Sequence, residues 1–282
     1  MRQVKLTRKL SLKNSGELEL LFIGTGSAFA KAFNQTNFLI IKGDTHIMVD
    51  FGMTGPRALN EVAKLETTDI EVLLPTHSHS DHVGGIEALA LMNRYVGRKF
   101  LKKPKLTMII NEDYQRVLWT HTLQGGLEWN EKGIDASEKL QFSDFFQVIR
   151  PRWKAHQPRE IFEADVNEIH LEIFRTNHIP EQATSWEASF ISYGLYIDKR
   201  VFISGDTQFD PDLIHLYADR SEVMFHDVQF FPGAVHAPLQ DLKTLAPEIK
   251  QKMYLVHYSD DWKNQDISGF AGWCEQGVSY IF

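Results

Sequence analysis

Cysteine is almost absent. The 282-residue chain has one, Cys274, so no disulfide can close within it, and neither a zinc ribbon nor a CxxC redox motif can form. Long apolar runs are missing as well: no stretch of about 18 apolar residues offers a membrane span. The opening MRQVKLTRKLSLKNSGELEL is basic but lacks the apolar centre of an export signal, so a cytoplasmic location is expected, in keeping with the lone thiol. Positive charge is in deficit, with 30 Lys and Arg against 37 Asp and Glu and a formal net charge of −7. That balance repels a polyanion on average and disfavours nucleic acid as partner, while leaving room for a local basic patch. No linker, low-complexity tract or short repeat interrupts the sequence, and one domain over residues 1–282 is expected.

What is present is an ordinary globular composition, 43% hydrophobic, patterned as strands and helices in alternation. ELELLFIG (17–24), NFLIIK (37–42), THIMVD (45–50) and EVLLP (71–75) read as strands, with a helix over about 55–65 among them. DHVGGIEALALMNRYV (81–96) reads as a helix with Ile86, Leu89, Ala90 and Asn93 on one side. EIHLEIF (168–174), ASFISYGLYI (188–197), RVFIS (200–204), EVMFHDV (222–228) and KMYLVHY (252–258) repeat the style in the second half. This pattern favours an α/β sandwich. The least regular region is an insertion at about 97–165. Basic stretches bracket it: RYVGRKFLKKPK (94–105), with six basic residues and no acid, and VIRPRWKAHQPR (148–159). Such runs are either solvated surface or a substrate-facing flap that attracts phosphate.

The densest chemistry is THSHSDHVGG (76–85). In an extended turn, residues two apart point the same way, so His77 and His79 can converge on one ion. Asp81 and His82 open the following helix and can reach a second. Imidazole with carboxylate and no thiolate suits zinc, manganese or iron(II). Gly84 and Gly85 allow close backbone approach just behind the cluster.

HSHSDHVGG resembles the H-x-H-x-D-H signature of the metallo-β-lactamase-fold hydrolases. The resemblance implies a four-layer αβ/βα sandwich, α/β in class, with two divalent metal ions at one edge of its sheets. It also implies later ligands, and matching positions follow in order: His178 in TNHIP, Asp206 in FISGDT and His257 in LVHYS. By that carry-over one ion takes His77, His79 and His178, the other takes Asp81, His82 and His257, and Asp206 bridges. Asp50 in MVDFG matches an aspartate that supports the metal loop without binding the ions. His46, His121, His156, His170 and His215 receive no role.

Within the superfamily, the chain is most similar to the ribonuclease Z-like phosphodiesterases. GTGSAF (24–29) resembles their opening and reads as a tight turn near the metals, since it lacks the GK[ST] of a phosphate loop. FHDVQF (225–230) and GAVHAPLQDL (233–242) resemble their C-terminal set. The resemblance implies His226 as general acid, oriented by Asp227, with His236 touching substrate phosphate or supporting the site; Asp81 joins these as a catalytic residue. The chain departs from tRNA-processing members in DFGMTG after Asp50 and in having no glycine- and proline-rich arm. A small phosphodiester, best a cyclic nucleotide, is therefore expected as substrate, since bacterial and phage relatives of this branch include cyclic-nucleotide phosphodiesterases. A tRNA 3′-processing endoribonuclease, or a thioesterase or lactonase of the same fold, is the alternative. The branch also hints at a homodimer.

Overall fold

A computed structural model describes residues 1–131 and 139–282. Its backbone contacts divide the chain into two units, each built on one eight-stranded sheet.

Unit 1 comprises Met1–Ile23, Asn37–Pro151 and Gly277–Phe282. Its strands are β1 (Arg2–Lys5), β2 (Glu19–Gly24), β3 (Asn37–Lys42), β4 (Thr45–Val49), β5 (Val72–Leu74), β6 (Leu106–Ile109), β7 (Phe146–Ile149) and, from the C-terminus, β16 (Val278–Ile281). They lie in the order β1-β16-β2-β3-β4-β5-β6-β7. A two-residue turn at Gly43 and Asp44 joins the antiparallel pair β3–β4. From β4 to β7 the strands are parallel. Strands buried on both faces read as unbroken apolar runs, and Phe38–Ile41 of β3 and Ile47–Val49 of β4 are all buried.

Helix α1 (Gly55–Ala63) starts with a proline in its first turn and stops at Lys64, whose left-handed backbone returns its N–H to Asn60 O and Leu59 O. The helix expected over 81–96 is broken. Helix α2 (Ser80–Val83) ends at Gly84–Gly85, α3 (Ile86–Met92) follows, and a wide π turn runs over Asn93–Arg98. The cause is packing behind the two glycines. Gly85 N donates to Phe51 O at 2.8 Å, and a Cβ on Gly85 would stand 2.5 Å from Gly52 O. Gly85→Ala is therefore expected to destabilise the protein by about 1–3 kcal/mol, read as a lower denaturant midpoint. An unchanged midpoint would remove the packing argument. The inward face is as the periodicity predicts: Ile86, Leu89, Ala90 and Asn93 are all buried. Asn93 is satisfied there, donating to Pro104 O and accepting from Leu106 N, both at 3.1 Å.

Unit 2 comprises Gly24–Thr36 and Arg152–Gln276. Its strands are β8 (Arg152–Ala155), β9 (Ile161–Val166), β10 (Ile169–Arg175), β11 (Tyr193–Ile197), β12 (Val201–Ile203), β13 (Val223–Asp227), β14 (Met253–Val256) and β15 (Gly272–Trp273), in the order β15-β14-β13-β12-β11-β10-β9-β8. From β12 to β15 they are parallel. Helix α4 (Pro211–Ala218) begins where Asp210 accepts Leu213 N at 2.9 Å, with Pro211 beside the cap. It buries Leu213, Ile214 and Tyr217 in a core with Phe174, Phe202 and Met224.

Residues 97–165, irregular by sequence, hold β6, β7, β8 and all but the last residue of β9, together with the helix Glu112–Leu118. Most of these strands are four residues long, too short for a periodicity to stand out. Among the described residues, no helix is long and apolar enough to cross a membrane. In both units the histidine- and aspartate-bearing segments follow the carboxyl ends of strands, most of them in the parallel part of the sheet, where open α/β sheets place their sites; the segment after the antiparallel β10 is the exception.

Candidate active site

In unit 1 the chemistry hangs on Asp50, the first residue after β4. Its φ of 57° is left-handed, a conformation aspartate tolerates better than most residues and one that turns the chain sharply out of the sheet. The carboxylate accepts Thr76 N at 2.7 Å and Thr76 Oγ1 at 2.8 Å, fixing the segment that leaves the neighbouring strand β5. It also accepts His82 Nδ1 at 2.7 Å. Thr76 Oγ1, having donated to Asp50, can accept His77 Nδ1 at 3.1 Å. One buried carboxylate thus orients two imidazoles, directly and through a threonine hydroxyl, committing Nδ1 on each and leaving Nε2 as the ligand atom. Burial pushes the Asp50 carboxyl above its ordinary range, against the opposing pull of His82 and Thr76.

The expected ligands of this unit come together. His77 Nε2 lies 3.1 Å from His79 Nδ1, and His82 Nε2 lies 3.2 Å from Asp81 Oδ2. Ligand bonds of about 2.0–2.2 Å put two donors on one ion roughly 3–3.5 Å apart, so each pair has the spacing that a divalent cation needs. His77, Asp81 and His82 are buried. Asp50→Asn should weaken metal retention about 10- to 100-fold, because the amide has one oxygen where the carboxylate used two. Metal content after dialysis against graded chelator checks this, and wild-type retention would contradict it.

In unit 2 three strand ends supply the remaining residues. After β12, Gly205 turns with a φ of 61°; a Cβ there would stand 2.3 Å from Tyr193 O, so the turn that presents Asp206 requires glycine. After β14, His257 itself takes a φ of 62°, with its N–H on Thr25 O at 2.9 Å. After β10, His178 is set by Ser189 Oγ, which accepts its N–H at 2.9 Å. Again Nδ1 is committed: His178 Nδ1 donates to Val235 O at 2.9 Å, and His257 Nδ1 to Thr36 Oγ1 at 3.2 Å. The two Nε2 atoms lie 3.8 and 3.5 Å from a single oxygen, Asp206 Oδ2. That donor set fits a carboxylate oxygen shared by two cations.

A third imidazole stands at the same oxygen. His236 Nδ1 is 3.9 Å from Asp206 Oδ2 and 2.9 Å from Asp227 Oδ2, and its ring centroid lies 5.0 Å from that of His178 and 4.8 Å from that of His257. Its side chain is 20% exposed. Asp227 is fully buried: Thr207 N donates to Oδ2 at 3.1 Å, and its own N–H goes to Ser204 Oγ at 3.0 Å. Burial raises the Asp227 carboxyl, but hydrogen bonds from His226 and His236 outweigh it and hold the group below the usual carboxylate range.

His226 occupies a different setting. Its side chain is 0% exposed, with its ring centroid 6.4 Å from that of Phe202. Its Nδ1 donates to Asp227 O at 2.9 Å and lies 3.2 Å from Asp227 Oδ1, while Nε2 is buried with no hydrogen-bond partner among the described residues. Neighbours on a strand start toward opposite faces, yet at the end of β13 the His226 ring still comes within ion-pair distance of the Asp227 carboxylate.

Thr76, Thr36, Ser189 and Val235 O, which orient the imidazoles, are absent from the sequence reading. Only Thr76, adjoining the motif, carried a local signal. In the GTGSAF turn, Gly26 N donates to Asn34 O, and Ser27 N to Tyr258 O, the residue after His257.

Comparison with known proteins identifies the family and the fold. The family model of anti-Pycsar protein Apyc1 matches residues 18–280. The anti-Pycsar protein Apyc1 of Paenibacillus sp. (strain J14) is 37% identical over 250 residues, covering 88% of this chain and 91% of its own. That of Bacillus phage BSP38 is 32% identical, covering 93% and 98%. Among solved structures, the metallo-β-lactamase fold protein YhfI of Bacillus subtilis superposes with a TM-score of 0.66 at 14% identity, over 94% of this chain and all of that one. The short form of human tRNase Z gives 0.59 at 15% identity, over 86% and 94%. The chain belongs to the anti-Pycsar protein Apyc1 family and has the metallo-β-lactamase fold.

Proposed function

We propose that the chain hydrolyses the phosphodiester bond of a cyclic nucleotide. In this reading His77, His79 and His178 hold one divalent ion, Asp81, His82 and His257 hold a second, and Asp206 serves both. Family membership makes the chain a metal-dependent hydrolase of the phosphodiesterase kind. The finer substrate is supported by the same family, whose Apyc1 members act as cyclic-nucleotide phosphodiesterases. Zinc suits the donors best, with manganese and iron(II) compatible. A cytoplasmic enzyme fits the lone cysteine.

The carrying observation is the His236–Asp227 pair at Asp206 Oδ2. A departing ribose alkoxide must be protonated, whereas a thiolate, with a pKa of about 8.5, leaves without help. A thioesterase would need the ligands but not this third imidazole.

Bound divalent ions supply a water of lowered pKa and neutralise charge on the phosphoryl oxygens. The chain's own residues do the remainder. Asp227 accepts His236 Nδ1–H and fixes the ring, so Nε2 is the nitrogen that delivers a proton to the leaving oxygen. Thr207 N and Ser204 Oγ hold Asp227 in turn. We assign the proton donation to His236 in place of His226: partial exposure and the adjacency to Asp206 support His236, while full burial beside Phe202 gives His226 a packing role.

A panel tests the reading: the common 3′,5′-cyclic nucleotides, a thioester and a precursor tRNA, each with zinc and with manganese. Selective opening of cyclic nucleotides is expected. Thioester turnover with inert cyclic nucleotides would replace the reading with its rival.

A further inference from the structure

None of this uses the basic stretch that starts at Arg94. In unit 1, Arg94, Arg98, Lys99, Lys102 and Lys103 line a cavity of about 500 Å³ together with Glu131. Among the described residues, five cationic side chains face one carboxylate, a surplus of four, in a chain whose net charge is −7. Glu131 is already engaged, 2.7 Å from Arg94 Nε. Lys103 has Glu71 at 3.6 Å. Arg98, Lys99 and Lys102 have no carboxylate at ion-pair distance among the described residues.

These side chains are also held in place. Arg94 Nη1 and Arg98 Nη1 both donate to Asp144 O, at 2.7 and 3.3 Å. Lys102 Nζ donates to Lys99 O at 3.0 Å, and Lys99 Nζ sits 4.9 Å from the Tyr95 ring centroid. The widened turn Asn93–Arg98 brings both arginines to the cavity, and π turns of this kind recur at functional sites. Grouped like charges repel one another. A concave, pre-set cluster of them therefore favours an anion with several charges over scattered solvation. Arginine forks and lysine ammonium groups are the donors that phosphate oxygens take.

We propose that this cavity binds a phosphate-bearing anion carrying two or more phosphate charges. The phosphate comes either from a free polyphosphate or from a lipid headgroup. Phe100, 75% exposed, and Leu101, 54% exposed, follow Lys99 and precede Lys102, which gives a bilayer surface an apolar pair to cover.

Pyrophosphate titrated calorimetrically into the metal-loaded enzyme tests this, comparing wild type with Lys99→Glu/Lys102→Glu. Bis-p-nitrophenyl phosphate hydrolysis monitors the fold and the active site in both. The wild type should show a binding event that does not inhibit hydrolysis and that weakens as salt is raised. The double variant should lose at least about tenfold in that affinity with hydrolysis unchanged, since each reversal replaces attraction by repulsion at close range. In a second arm, both proteins are sedimented with phosphatidylcholine vesicles containing phosphatidylserine or a phosphoinositide. Binding of wild type alone, lost also in Phe100→Ser/Leu101→Ser, assigns the lipid source; pyrophosphate binding without vesicle binding assigns the free one. Equal isotherms in the two proteins, no binding in either arm, or binding of RNA with none of pyrophosphate would overturn the proposal.

Discussion

His236→Ala is expected to lower turnover of a cyclic nucleotide by about 100- to 10,000-fold, the usual cost of a lost general acid, with metal content unchanged. His236 lies 2.9 Å from Asp227 and 3.9 Å from Asp206, and its Nδ1 bonds to Asp227. Its contribution is a proton, so the loss should depend on the leaving group. Bis-p-nitrophenyl phosphate releases an anion that needs little protonation and should suffer far less. His226→Asn should leave both substrates turning over near the wild-type rate, with a lower melting temperature from a disturbed core. An equal loss on the two substrates in the His236 variant, or loss of metal, would contradict the assignment. A large loss in a folded, metal-loaded His226 variant would restore His226 as donor.

Asp206→Ala should be the most damaging single change. Its Oδ2 is the atom on which His178 Nε2 and His257 Nε2 converge, at 3.8 and 3.5 Å. Without it two buried imidazoles lose the anion that offsets cationic charge beside them, and a divalent ion loses its anionic ligand. Metal catalysis is worth several kcal/mol, at tenfold per 1.36 kcal/mol, so turnover should fall by about 1,000-fold or more. Metal content should fall with it. Asp206→Asn keeps the shape but not the charge and should behave alike. Full metal content with retained turnover in the asparagine variant would show that the carboxylate is not shared between ions.

How far the site could be read from the sequence follows from how its parts are joined. His77, His79, Asp81 and His82 lie within six residues, so their convergence is a local matter of extended turn and helix start, and it was legible. His178, Asp206 and His257 each end a separate strand. No local pattern marks them, and only the family resemblance brought them to notice. The orienting groups were harder still. Val235 O and Thr36 Oγ1 meet His178 and His257 across 57 and 221 residues, as a result of sheet order alone. The His226–Asp227 pairing, suggested by adjacency in sequence, is present at 3.2 Å. Asp227 also bonds to His236, nine residues on, at 2.9 Å, and no local pattern announced that second partner. In the fold, the long apolar strands were plain. The four-residue strands β6, β7 and β8 gave too few alternations to register.

The most direct test of the account follows a 3′,5′-cyclic nucleotide by phosphorus NMR, using enzyme as purified, enzyme stripped by chelator, and stripped enzyme with zinc or manganese restored. The account predicts conversion to a single linear nucleoside monophosphate, abolished by stripping and recovered with metal. Conversion that persists in stripped enzyme, or an intact cyclic nucleotide in the metal-restored sample, would contradict it.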